Sequence, residues 1–299
     1  MLHEQLDIAH WKQVFSVARM RAEGQKPDDF NISGPRSIAV IEQLREETFA
    51  TLPDIERVPT DIFILNRGEP EQPSVTKISG LPYRAAGKPW PMTPSGTTMN
   101  FVAQFCFADS GDFVPTLPGD LLLIFIEGKE IELRHRLPGW NSNIIHEFMW
   151  GRGEDRDSAV AFEWVSLGDF PLVTLEEIPE TPWKITPFYG TLYRTWDYPN
   201  TDGFSYPHVA IHIATTLEAI KIGGIYPSPW IPQDDLGTYL CTLNSVFCRN
   251  DSYPFLNVPE LISAEEWRNS SSRPLTIGDM GLMNIFLAAD GSIRWAADG

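Results

Sequence analysis

Few residues in this chain stand at spacings that can do chemistry. The histidines His208 and His212 are four apart, which on a strand places both on one face and lets two imidazoles approach a metal ion. Neither an HExxH pair, nor a CxxC, nor a third ligand at a telling distance accompanies them, so they are weak metal candidates and the expected metal is none. The run Asp197-Tyr-Pro-Asn-Thr-Asp-Gly203 has the composition of a calcium loop without the register one needs, and reads as a turn. No GxSxG elbow, P-loop or GxGxxG occurs, and no catalytic residue can be named. Cys106 sits in an apolar run, where burial raises a thiol's pKa and leaves it inert. Lys77 and Lys221 are more informative, because each opens a similar short motif, Lys77-Ile-Ser-Gly80 and Lys221-Ile-Gly-Gly224. A repeated lysine either binds an anion or ties down its own turn. Gly80, Gly223 and Gly224 suit turns that need positive φ.

The elements that carry these residues are mostly strands. Short apolar runs bounded by Pro and Gly predict strands over Asp61–Leu65, Val75–Ile78, Phe101–Phe107, Leu121–Ile126, Ile131–Leu137, Ala159–Val165, Val209–Ile213, Tyr239–Val246, Leu282–Leu287 and Ile293–Trp295. No βαβ alternation appears, which argues against a parallel doubly wound sheet. Residues 1–58 differ. Leu2, Leu6, Trp11, Val14, Phe15 and Val17 recur at helical spacing, and a second helix starts near Pro35, so this part reads as a peripheral helical arm. Residues 59–299 form the β-rich body.

The body is internally repeated. After each lysine motif comes a Pro-Trp step, Pro89-Trp90 or Pro229-Trp230. Next comes Phe101–Cys106 or Tyr239–Asn244, and then an apolar strand ending in Phe, Leu121–Phe125 or Leu282–Phe286. Two pseudo-repeats, about 74–128 and 218–291, follow from this order. One copy has too few strands to bury its apolar faces, so the two are expected to share one core. The expected architecture is mainly β, roll- or barrel-like, α+β overall, with an internal duplication and N-terminal helices. A ligand site between the copies would draw on Lys77, Trp90, Gln104, Lys221, Trp230 and Asp279.

These motifs also carry a resemblance. Lys77-Ile-Ser-Gly-Leu-Pro-Tyr83, Trp90-Pro91, Asn100-Phe-Val-Ala-Gln104, Leu117-Pro-Gly and Leu121–Ile126 resemble the YwqG-like family, a bacterial family of unknown function. Lys221–Gly224 with Tyr226-Pro227, and Gly278-Asp-Met-Gly281 with Asn284-Ile-Phe286, are similar to its second half. The chain departs from that pattern at Leu240-Cys-Thr242 and at Ile277. The resemblance implies a roll-like β fold and no established reaction. Some similar proteins are encoded beside toxin genes, which implies an immunity role.

Composition narrows the partners. The chain of 299 residues has 23 basic and 40 acidic side chains, a net charge of −17. Such a surface has no footprint for a phosphate backbone, so nucleic acid is not expected as a partner. A basic protein is the partner the charge fits. The longest apolar run, Leu121–Ile126, is far short of the ~20 residues that span a bilayer, so no membrane partner is expected. Three cysteines without a close pair, and no basic-then-apolar leader, fit a cytoplasmic protein with reduced thiols. No cofactor is expected. The leading expectation is a binding protein that is not an enzyme and acts on a partner as an immunity protein does. The alternative is a small-molecule-binding or hydrolytic protein with its site in the cleft between the repeats.

Overall fold

In the computed structural model the described residues are 58–127, 159–181, 184–197, 219–227, 236–246, 275, 277 and 281–298. The helical arm, the predicted strands Ile131–Leu137 and Val209–Ile213, and the candidates His208, His212, Trp230 and Asp279 lie outside them.

Among the described residues ten strands form one barrel-like sheet in which every neighbouring pair is antiparallel. They are β1 Val58–Arg67, β2 Lys77–Ile78, β3 Met99–Cys106, β4 Leu121–Glu127, β5 Val160–Val165, β6 Phe188–Asp197, β7 Lys221–Gly223, β8 Thr238–Asn244, β9 Leu282–Leu287 and β10 Ile293–Asp298. Their order across the sheet is β10-β9-β8-β7-β1-β6-β2-β3-β4-β5. The fold is thus mainly β, and the strands β2–β5 on one side repeat β7–β10 on the other. Each set is joined to the central antiparallel pair β1 and β6, in which Val58 faces Asp197 and Arg67 faces Phe188.

The repeat extends to register. Lys77 faces Gln104 and Ile78 faces Ala103 on β3, while Lys221 faces Thr242 and Ile222 faces Cys241 on β8. Both copies carry a bulge at the same place, between Phe101 and Ala103 and between Tyr239 and Cys241. A bulge bends its strand and sharpens the local twist, which a curled sheet needs on both sides. The extra residues, Val102 and Leu240, are fully buried.

The interior is one cluster that draws on both copies. Ala103, Phe105, Leu122 and Ile124 from one side join Cys241, Leu243, Met283 and Ile285 from the other, with Phe63 and Leu65 of β1 between them. The outer face of the first copy is also covered. The segments flanking β2 and β5 lay Tyr83, Trp90, Phe170 and Leu172 over Phe101, Leu121, Leu123 and Phe125. The second copy has a smaller counterpart, Tyr226 and Leu236 against Tyr239 and Phe286. β4 is buried along its whole length because both its faces are covered, which is why it is apolar from Leu121 to Ile126.

Sequence patterning misses the short β7, whose residues read only as part of a turn motif, and β6, the centre of the sheet. The residues of β6, Phe-Tyr-Gly-Thr-Leu-Tyr-Arg-Thr-Trp-Asp, mix aromatic, polar and glycine positions without a clean alternation. Gly190 at its third position is required by packing. A Cβ there would lie 2.7 Å from Cβ of Phe63, so the glycine leaves room for the ring on the facing strand. No helix among the described residues is long and apolar enough to cross a membrane.

Candidate functional site

The two lysine motifs give the sheet its most specific polar sites. In each, two successive residues take left-handed backbone conformations, Ser79 (φ 54°) with Gly80 (φ 76°), and Gly223 (φ 66°) with Gly224 (φ 76°). Ser79 is the one non-glycine residue with positive φ among those described. Gly223 has a further reason to lack a side chain, because a Cβ there would run into the Phe113 ring.

Over each turn sits a carboxylate from elsewhere in the chain. Asp197 closes β6 and lies against the second turn. Its Oδ2 accepts from Nζ of Lys221 at 2.5 Å and from the backbone N–H of Ile225 at 2.9 Å. Nζ of Lys221 also donates to the carbonyl of Ile225 at 2.8 Å and lies 6.0 Å from the centre of the Tyr239 ring. Glu69, two residues beyond β1, plays the matching part over the first turn. Its Oε1 accepts from the N–H of Leu81 at 3.1 Å, and its Oε2 lies 3.5 Å from Nζ of Lys77. The glycine explains the motif, since a Cβ on Gly80 or Gly224 would collide with the Glu69 or Asp197 carboxylate. In both copies the acid comes from the strand two places away across the sheet, so the two ion pairs tie the copies to each other through β1 and β6.

The two copies differ in closure. Lys221 and Asp197 are both fully buried, and the ammonium meets the Asp197 carboxylate, the Ile225 carbonyl and the face of the Tyr239 ring. Lys77 is 2% exposed, but its counter-charge Glu69 is 42% exposed. Burial of Lys77 lowers its pKa, and the neighbouring Glu69 opposes that shift.

The other candidate residues have structural partners. Gln104, fully buried, accepts from Tyr83 N–H at 2.8 Å and donates to the carbonyls of Pro73 and Val75 at 2.9 and 2.7 Å. Trp90 donates to the Met99 carbonyl at 2.7 Å, meets Phe125 edge-on at 5.5 Å and carries the Arg84 guanidinium on its face. Lys77, Gln104 and Trp90 thus belong to the first copy, with Lys77 and Gln104 facing each other across β2 and β3. Lys221 lies beyond β6 and β1 and four positions along the strands. At the usual strand spacing and rise this separates the two lysines by about 20 Å along the sheet.

Two further networks carry charge and were not legible as sites. Arg194 on β6 donates from Nε and Nη2 to the two oxygens of buried Asp61 at 2.8 and 3.0 Å, and from Nη1 to Asp112 at 2.8 Å. Ser110 adds a 2.6 Å bond to Asp61, and the Arg194 guanidinium lies 4.9 Å from the Phe113 ring centre. The bond to Asp61 holds the Arg194 pKa above its ordinary value. Arg84 is buried and donates to Glu163 at 3.0 Å and to the carbonyls of Lys88 and Pro89, while Lys88 meets the other oxygen of Glu163 at 2.7 Å. Burial raises the Cys106 and Cys241 thiols. No group of three or more metal-ligating side chains occurs among the described residues.

A family model described as a domain of unknown function, DUF1963, matches residues 76–150, which covers the first lysine motif and strands β3 and β4. No curated protein matches the chain. The part of the sheet that carries β2, β3 and β4 is therefore similar to a domain of unknown function.

Proposed function

We propose that this protein is a binding module that engages a basic protein partner in the cytoplasm. Its resemblance to the YwqG-like family, some of whose members lie beside toxin genes, makes neutralisation of a toxin the specific role. The observation that carries the reading is how the charges are distributed. Lys77, Arg84 and Lys221 are buried in ion pairs, and Arg194 and Lys88 are engaged by Asp61, Asp112 and Glu163. The exposed groups include Glu71, Asp109, Asp169, Glu176, Glu180 and Asp290. Among the described residues three buried bases (Lys77, Arg84 and Lys221) are matched by three buried acids (Asp61, Glu127 and Asp197), so the acidic excess of the composition stays at the surface, where exposed acids outnumber Arg67, Lys88, Lys184, Arg194 and Arg294. Charge complementarity of this kind speeds encounter and selects partners of opposite sign.

Co-expression with the product of an adjacent toxin gene tests the role. Protection of the host, with a complex whose association rate falls steeply between low and physiological salt, is expected. Unabated toxicity together with no complex in low salt overturns it.

A further inference from the structure

The two lysine turns are built alike but are not closed alike, and the difference points to a ligand. Each turn offers the same anion seat: a buried ammonium on one side, a backbone N–H on the other, and a glycine whose missing Cβ makes room between them. Successive left-handed residues of this kind direct N–H groups into a concavity suited to negative charge. In the second copy Asp197 fills the seat from a fully buried position, with short bonds to Lys221 and Ile225. In the first copy Glu69 fills it from the surface. That carboxylate is 42% exposed and reaches only to 3.5 Å from Lys77. Among the described residues Glu69 is the one counter-charge Lys77 has, although an ammonium offers three donors and a buried charge is costly unless they are used.

We propose that the seat formed by Lys77, Gly80 and the Leu81 N–H is a binding site for a small carboxylate anion, with Glu69 its displaceable occupant. The seat already holds two carboxylate oxygens, one toward Lys77 and one toward the Leu81 N–H. A ligand carboxylate takes both positions when the Glu69 side chain swings into solvent. Asp197 has no such freedom, so the second seat stays closed. The inference is independent of the partner-binding reading.

Titration of the isotope-labelled full chain with acetate, inorganic phosphate or chloride at fixed ionic strength tests it. Acetate is expected to shift the Leu81 amide and the Lys77 side chain saturably, to leave the Ile225 amide unmoved, and to bind about tenfold tighter to Glu69→Ala, where the internal competitor is gone. Lys77→Met is expected to lose the effect. If that variant does not fold, the Ile225 amide in the same spectra is the control. The proposal is overturned if no saturable shift occurs in either protein. Saturation confined to Glu69→Ala also overturns it, because Glu69 would then be a permanent plug. Equal shifts at Ile225 would show general salt binding, and phosphate binding without acetate binding would refute the carboxylate class.

Discussion

At the scale of the residue, the repeated Lys-Ile-x-Gly motif has a physical explanation. The lysine is buried because a carboxylate from another strand meets it, and the glycine is there because that carboxylate occupies the place of a side chain. The two copies should respond differently to loss of the acid. Asp197→Ala removes a fully buried carboxylate from a fully buried ammonium and should cost about 3–5 kcal/mol in chemical denaturation. Glu69→Ala removes a half-exposed partner at longer range and opens the Lys77 ammonium to water, so it should cost only about 1 kcal/mol. Replacing Asp197 and Lys221 together with apolar residues should recover much of the loss, since the pair's desolvation cost disappears with it. Equal costs for the two single substitutions would show that exposure does not set the strength of these pairs. Neither acid was legible from sequence. Glu69 lies eight residues before its lysine and Asp197 lies 24 before Lys221, spacings with no local meaning in a β structure. Asp197 read as the start of a polar turn, whereas it ends a strand with a buried side chain.

At the scale of the element, Glu177 adds a titratable link to the backbone bonds that hold the outer cover of the first copy. Its carboxylate accepts from the Thr174 N–H at 2.9 Å and from the Gly87 N–H at 3.0 Å, joining the two irregular segments that cover β3 and β4. The bond from Thr174, followed by that from Gly87, lowers the Glu177 pKa below its ordinary 4.5. A lowered carboxylate pKa stabilises the folded form above the unfolded value, and that contribution is lost as pH falls through the folded one. Hydrogen exchange at the Thr174 and Gly87 amides should therefore be slow near neutrality and should gain protection-breaking openings below about pH 4.5. Glu177→Gln should flatten that dependence, and unchanged pH dependence in the variant would assign it to another group. Strand patterning was most readable where burial is simplest. β4 and β9 are apolar runs of ordinary strand length, and their bounds match the expectation within a residue. β6 escaped because Gly190 interrupts it and because aromatic and polar residues share both its faces.

At the scale of the whole molecule, one interior cluster spans both copies, so neither copy has a complete core of its own. Unfolding should be a single transition for the described sheet. Ile285→Ala on β9, at a fully buried position, should destabilise by about 2–5 kcal/mol and lower the protection of β4 amides in the other copy by the same free energy. Loss of protection confined to β8–β10 would show that the copies melt separately. The central pair β1 and β6 is what makes the sheet continuous, and both lysine clamps reach across it.

The amino-acid sequence by itself determined the class of fold, the absence of a βαβ alternation and the existence of two similar halves. Those properties are written in local signals: short apolar runs, Gly and Pro punctuation, and a motif that recurs in order. It also determined the charge balance, which depends on composition and not on shape. Only the tertiary structure decided that β1 and β6 stand at the centre, that the two lysines lie about 20 Å apart along the sheet and face different carboxylates, and that one of those carboxylates is fully buried while the other is half-exposed. The physical reason is that strand pairing and ion pairing join residues far apart in the chain. A local pattern can show that a side chain is to be buried, but the partner that makes its burial tolerable is chosen by the folded sheet.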